Sequence, residues 1–86
     1  FNLILDIGCF HNLQGREKIT YIQNLERLLD TGGTFLIYGF IQTDLEQKDG
    51  LSKDDLEAFS RFMQLEWRQD GTERGIRASA WLRYRR

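Results

Sequence analysis

The strongest constraint on this chain is its opening stretch, residues 1–13, Phe-Asn-Leu-Ile-Leu-Asp-Ile-Gly-Cys-Phe-His-Asn-Leu. A short, nearly continuous apolar run is the habit of a strand buried on both faces, as in parallel sheets. The run then meets Asp6, Gly8, Cys9 and His11, small and polar residues gathered at the strand's carboxyl end. In open α/β sheets that end is where ligands bind. A parallel sheet with a site at the tip of this strand is therefore expected.

The following residues supply the rest of such a unit. Residues 16–30 carry Ile19, Ile22, Leu25, Leu28 and Leu29 at helical spacing, with Arg16, Glu17, Lys18, Glu26 and Arg27 mostly on the other face. Thr31-Gly32-Gly33 is read as the end of that helix, because glycine accepts the left-handed conformation of a C-terminal cap. Glycines that follow a helix and precede a strand are in the wrong place for a phosphate loop. Residues 34–40, Thr-Phe-Leu-Ile-Tyr-Gly-Phe, form a second buried-looking strand, so strand, helix and strand make a βαβ unit with parallel strands. Residues 41–50 read as a loop on the same rim as Asp6 to His11.

Ser52, with Asp55 three residues on, marks a helix start of the capping-box kind. Leu51 and Leu56 stand at the staple positions, and Asp54 and Asp55 suit the positive end of the helix dipole. Leu56, Phe59 and Phe62 are its buried stripe. Residues 63–70 alternate, with Met63, Leu65 and Trp67 on one face. Residues 76–84 alternate again, with Ile76, Ala78, Ala80, Leu82 and Tyr84 on one face. Asp70-Gly71 is the expected turn of the antiparallel hairpin they form. The expected class is α/β: a Rossmann-like partial sheet in the order β-α-β-α-β-β, two parallel strands followed by a C-terminal antiparallel hairpin.

Composition excludes several functions. Eighty-six residues suffice for one small domain. Twelve basic residues against thirteen acidic ones, a net charge of -1, give no reason to expect nucleic acid or an anionic membrane as partner. Arg83, Arg85 and Arg86 read as a solvated basic tail. No apolar run approaches the ~20 residues of a membrane-spanning helix, and no signal-peptide pattern is visible. One Cys and one His make neither an internal disulfide nor a thiolate zinc cage, so no metal is expected. A reducing, cytoplasmic setting fits that cysteine usage. A buried-type strand at the very start, with no initiating Met and no proline, suggests a fragment of a longer domain.

These motifs together carry a resemblance. Residues 1–13 resemble the fourth-strand motif of class I S-adenosylmethionine-dependent methyltransferases: an aromatic, an acid or amide, an apolar strand, then a short polar segment with a His near its end. Leu28-Leu29-Asp30-Thr31-Gly32-Gly33-Thr34-Phe35-Leu36-Ile37 is similar to the family's next motif, a helix ending in a double glycine before the fifth strand. The Asp70-Gly71 hairpin, with Ser79-Ala80-Trp81 in its last strand, fits the sixth and seventh strands. The resemblance spans essentially the whole chain. It implies that residues 1–86 are the C-terminal portion of a single methyltransferase-like domain. The family's glycine-rich loop, which cradles the cofactor's methionine end, has no counterpart here, and neither does the acid that binds the ribose hydroxyls.

The cofactor implied for the complete domain is S-adenosyl-L-methionine. The implied function is methyl transfer to a small-molecule acceptor, with this chain alone inactive. A non-catalytic interaction or dimerisation module derived from a methyltransferase is the alternative, and another Rossmann-like nucleotide-binding enzyme is a third reading. The resemblance sets Asp6, Ile7 and Gly8 beside the cofactor's methionine moiety. Gly8 permits close backbone approach; Asp6 could accept from the ligand's ammonium group or cap the neighbouring turn. His11 could serve as a substrate-side base or hydrogen-bond partner, or as a packing residue. Phe10 and Tyr38 are candidate walls of the acceptor pocket, or core. Cys9 reads as buried and inert, since a Cys9–His11 nucleophile pair has no third orienting group. Methyl transfer asks chiefly for alignment of the acceptor, so the lack of an obvious acid or base is no objection.

Right-handed crossovers that advance in one direction put both helices on one face of the sheet. The other face and the edge from Phe1 to Ile7 would then be bare. A homodimer through the exposed sheet face or that edge is expected, with Trp67 and Trp81 as packing or dimer-forming residues.

Overall fold

Two strands that run parallel with a helix between them, and an antiparallel hairpin added beside the second, make up the sheet. The computed structural model describes residues 1–44, 47 and 49–86. The elements are β1 (Leu3–Ile7), a 3₁₀ turn (Phe10–Asn12), α1 (Arg16–Leu28), β2 (Thr34–Phe40), α2 (Lys53–Ser60), β3 (Gln64–Glu73) and β4 (Arg77–Arg85). The sheet order is β1-β2-β4-β3. β1 pairs with β2 in parallel, and β4 pairs antiparallel with both β2 and β3. The expected α/β class and element order are therefore observed, with β1 on the edge.

Period-two alternation decides what is buried. Phe35 and Ile37 of β2 and Ala80, Leu82 and Tyr84 of β4 enter one core with Leu25 of α1, Leu29 just after that helix and Phe59 of α2. The Phe59 ring lies 5.0, 5.4 and 5.6 Å from those of Phe10, Phe35 and Tyr84, distances at which aromatic rings attract beyond their buried area. The two helices lie on this one face, and Lys18 of α1 pairs with Asp55 of α2 at 2.7 Å. Among the described residues, the opposite face carries no helix. There Leu3, Leu5 and Ile7 are 60%, 55% and 62% exposed, so β1 is not buried on both faces within this chain.

The capping box expected at α2 is present. The Ser52 hydroxyl accepts the Asp55 N–H, the Asp55 carboxyl accepts the Ser52 N–H, and Leu51 is fully buried beneath the cap. At α1 the expected stripe is narrower than its sequence: Leu25 and Leu29 are buried, but Leu28 is exposed and Ile19 lines an open cleft between the helices. The helix also stops at Leu28, and Asp30 to Gly33 form a separate turn closed by the Gly33 N–H on the Asp30 carbonyl at 2.8 Å. Gly32-Gly33 therefore belongs to that turn and not to a helix cap. Arg86, expected in a free tail, instead donates to the carbonyls of Glu26 and Leu29 at the C-terminal end of α1, where a cation meets the helix dipole.

The hairpin turn is also displaced. Asp70 and Gly71 lie inside β3, opposite Ala80 and Ser79. The chain reverses at Arg74-Gly75, both at positive φ (55° and 68°), with the Ile76 N–H on the Glu73 carbonyl at 3.0 Å. Two left-handed residues are what a type I′ turn needs to match the twist of its strands. Ile76, expected in the strand, is exposed at the end of this turn. A bulge between Leu65 and Trp67 sets Leu65 opposite Tyr84 and Trp67 opposite Arg83. Because the extra residue reverses the alternation, Met63, Leu65 and Trp67 do not share one face.

Candidate functional site

The carboxyl ends of β1 and β2 lie side by side, and the chain must leave β1 sharply. Gly8 makes that exit at φ +77°, a conformation side chains disfavour, and its N–H donates to the Tyr38 carbonyl at 3.0 Å. The next residues turn at once into the 3₁₀ segment, whose amino end has free N–H groups.

Asp6 satisfies them. Its side chain points to the helix side of the sheet and is buried. Oδ1 accepts the Cys9 N–H at 2.8 Å, and Oδ2 accepts the Phe10 N–H at 3.1 Å. Oδ2 also accepts the Tyr21 hydroxyl of α1. Burial, then the hydrogen bond to Asp6, pushes the Tyr21 hydroxyl far above its ordinary range, so it remains a donor. Asp6 thus makes the capping contacts, one of the two roles open to it from sequence.

His11 is 6% exposed. Its Nδ1 accepts the Phe40 N–H at 2.7 Å, its main-chain carbonyl accepts the Gly50 N–H at 2.9 Å, and its ring stacks on Phe40 at 4.6 Å. Burial holds the imidazole below its ordinary value; Asp49 and Asp6 oppose that shift, and Arg77 adds to it. With the Nδ1 lone pair engaged by a backbone donor, the geometry is that of a packing and capping residue, not a poised base.

Phe10, a candidate wall for the acceptor pocket, is fully buried. The 3₁₀ turn tucks it between Tyr21, at 4.9 Å, and Phe59, so it belongs to the core and that expectation is corrected. Cys9, expected to be buried, is exposed at the position that precedes this turn. Tyr38 is paired in register with Ile7 on the open face. Its ring lies 5.0 Å from Trp81, its hydroxyl donates to Glu73, and it borders an open groove of about 260 Å³ with Gln69, Gly71 and Thr72. The sheet therefore divides the expected set. Asp6, Phe10 and His11 stand on the helix side, Ile7 and Tyr38 on the open side, and Gly8 sits at the boundary.

Sequence reading missed Arg77 and Asp49. The Arg77 guanidinium lies 4.8 Å from the Phe40 ring centre and donates to the Asp49 carboxyl at 3.1 Å. The hydrogen bond, with charge attraction behind it, holds Asp49 below the usual carboxylate range. Neither residue has a local motif; only the strand register brings Arg77 to this rim. Among the described residues, no group of three or more His, Cys, Asp or Glu side chains is placed to hold a metal, and no helix is long and apolar enough to cross a membrane.

No protein-family model and no curated protein matches the chain. Solved structures do. The N-methyltransferase NodS from Bradyrhizobium japonicum WM9, in complex with S-adenosyl-L-homocysteine, matches 99% of this chain with 45% of its own, at 16% identity and a TM-score of 0.77. A protein solved in work on the conversion of a disulfide bond into a thioacetal group during echinomycin biosynthesis matches all of this chain with 48% of its own, at 21% identity and a TM-score of 0.66. The chain spans about half the length of these structures. At such identities the likeness is one of fold, and the fold is that of part of a methyltransferase domain.

Proposed function

We propose that the chain is the C-terminal half of an S-adenosyl-L-methionine-dependent methyltransferase that acts on a small-molecule acceptor, and that it is inactive without the other half. The observation that carries this reading is the likeness of nearly the whole chain to about half of an N-methyltransferase that holds S-adenosyl-L-homocysteine. The residues of β1's end fit one wall of a cofactor site. Ile7 is exposed and Gly8 offers accessible backbone at the carboxyl end of a parallel strand. Asp6 shapes that backbone through the Cys9 and Phe10 amides, with its oxygens already engaged. The bound cofactor would supply an activated methyl group. The chain's own part is to present one wall and exclude water, with Tyr38 on the open face as the residue nearest to an acceptor role.

The opposite wall would come from a preceding half whose first strand pairs with β1 and whose helices cover Leu3, Leu5 and Ile7. The test is the coding sequence before Phe1. A strand, a glycine-rich turn and an acid about 20 residues beyond are expected; a stop codon or an unrelated domain there would overturn the reading.

The bare face favours a second reading for these 86 residues on their own, namely a pairing module. Exposed Leu3, Leu5 and Ile7 next to an unpaired strand edge form a surface that associates in water. A homodimer through this face or edge is the form the isolated chain takes in that reading. Sedimentation of the chain should give a dimer that Leu5→Lys converts to monomer; a wild-type monomer over the whole concentration range would sink it.

A further inference from the structure

We infer that His11 is a proton-sensitive latch: a neutral imidazole whose Nδ1 holds the Phe40 amide, and with it both stems of the loop after β2, against the end of β1. Three contacts meet at this residue. Nδ1 accepts the Phe40 N–H at 2.7 Å, and the His11 carbonyl accepts the Gly50 N–H at 2.9 Å. The two stems are joined to each other by the Leu51 N–H on the Phe40 carbonyl at 2.7 Å and the Gln42 N–H on the Leu51 carbonyl at 2.9 Å. The ring is a layer in a stack, with Phe40 against it and the Arg77 guanidinium against Phe40. Space for it is made by Gly39, where an added Cβ would come within 3.0 Å of Nδ1.

This geometry fixes the tautomer. Nδ1 receives a backbone N–H, so it carries no proton, and in the neutral ring the proton is on Nε2. Protonating Nδ1 would point a donor at a donor. It would also place a cation on a side chain with almost no access to water. The ring must then stay neutral or leave its seat. The charged groups facing it are Asp6 from β1, Asp49 from the loop and Arg77 from β4, while β2 presents only Gly39 and Phe40. The two acids favour the imidazolium; burial and Arg77 oppose it, and the net direction is downward. When the proton does bind, the bond to Phe40 is lost and the loop stems part from the rim that carries Gly8. His11 is thus a positioning residue, and acidification is the signal it responds to.

The test is nuclear magnetic resonance on the wild-type chain, with the ring nitrogens and backbone amides followed as pH is lowered. At neutral pH Nδ1 should resonate as an unprotonated acceptor and Nε2 as a protonated nitrogen, and the ring should titrate below 6.5. Through that titration the protection factors of the Phe40 and Gly50 amides, which correct for the slower intrinsic exchange in acid, should fall roughly tenfold, as one hydrogen bond is lost, while the Leu82 amide in the middle of β4 keeps its protection. His11→Asn sets an oxygen where Nδ1 stood and cannot titrate, so its Phe40 amide should stay protected in acid. The opposite tautomer, a midpoint at or above 6.5, or a Phe40 amide indifferent to the titration would each overturn the proposal. The first two are read on the wild-type chain and need no variant.

Discussion

Replacing Asp6 with alanine separates a structural carboxyl from a ligand-binding one. In the structure Asp6 has three protein donors: the Cys9 and Phe10 amides and the Tyr21 hydroxyl. Alanine removes every acceptor at once. The Cys9 amide, on an exposed residue, is only partly buried. The Phe10 amide is buried, and the Tyr21 hydroxyl is partly so. Stranding a buried donor costs about 1–3 kcal/mol, so these two together set the loss at ~2–6 kcal/mol. A small domain is stable by about 5–15 kcal/mol in all, so Asp6→Ala should leave the chain near the edge of folding. Asp6→Asn keeps one oxygen and should lose ~1–2 kcal/mol; Tyr21→Phe removes a single donor and should lose ~1 kcal/mol. Urea unfolding at neutral pH, followed by the fluorescence of Trp67 and Trp81, reads all three. A value for Asp6→Ala within about 0.5 kcal/mol of wild type would refute the reasoning and return Asp6 to the ligand.

Three further outcomes follow from single features. Ser52→Ala removes half of the capping box and should cost ~1 kcal/mol, seen as a melting temperature lower by roughly 4–8 °C. Gly75→Ala forces a side chain into φ +68° at the hairpin turn and should cost ~1 kcal/mol, measured by the same melts; a neutral result would place the turn elsewhere. Burial pushes the Tyr84 hydroxyl up to about 12 from an ordinary 10. The folded chain then holds this proton more tightly than the unfolded one, so stability is complete below pH 10 and falls as pH rises from 10 toward 12. Denaturant midpoints across that range check the sign, and Tyr84→Phe should flatten the slope.

What the sequence made legible was whatever is local or periodic. The βαβ order, the Ser52 cap and the burial of Ala80, Leu82 and Tyr84 each follow from spacing that a few residues carry. The position of the hairpin turn is not legible, because Asp70-Gly71 is the stronger local signal. The register instead runs past it to Arg74-Gly75, adding pairs such as Thr72 with Ala78 and Glu73 with Arg77. The reach of Arg86 to the end of α1 depends on where β4 finishes, which no local pattern states. The rim suffered most. Phe10 and His11 are adjacent to a strand end that looks like a site, yet the 3₁₀ turn rotates both to the helix side. Arg77 reaches Asp49 only through the pairing of β4 with β2.

Whether these residues form one wall of an S-adenosyl-L-methionine site is decided by calorimetric titration with that cofactor, run on the full-length protein that contains them and on the 86-residue chain alone. Saturable binding at one site per domain is expected in the full-length protein, with no measurable heat from the chain. Failure of the full-length protein to bind S-adenosyl-L-methionine, with tight binding of a dinucleotide in its place, would contradict the proposed function.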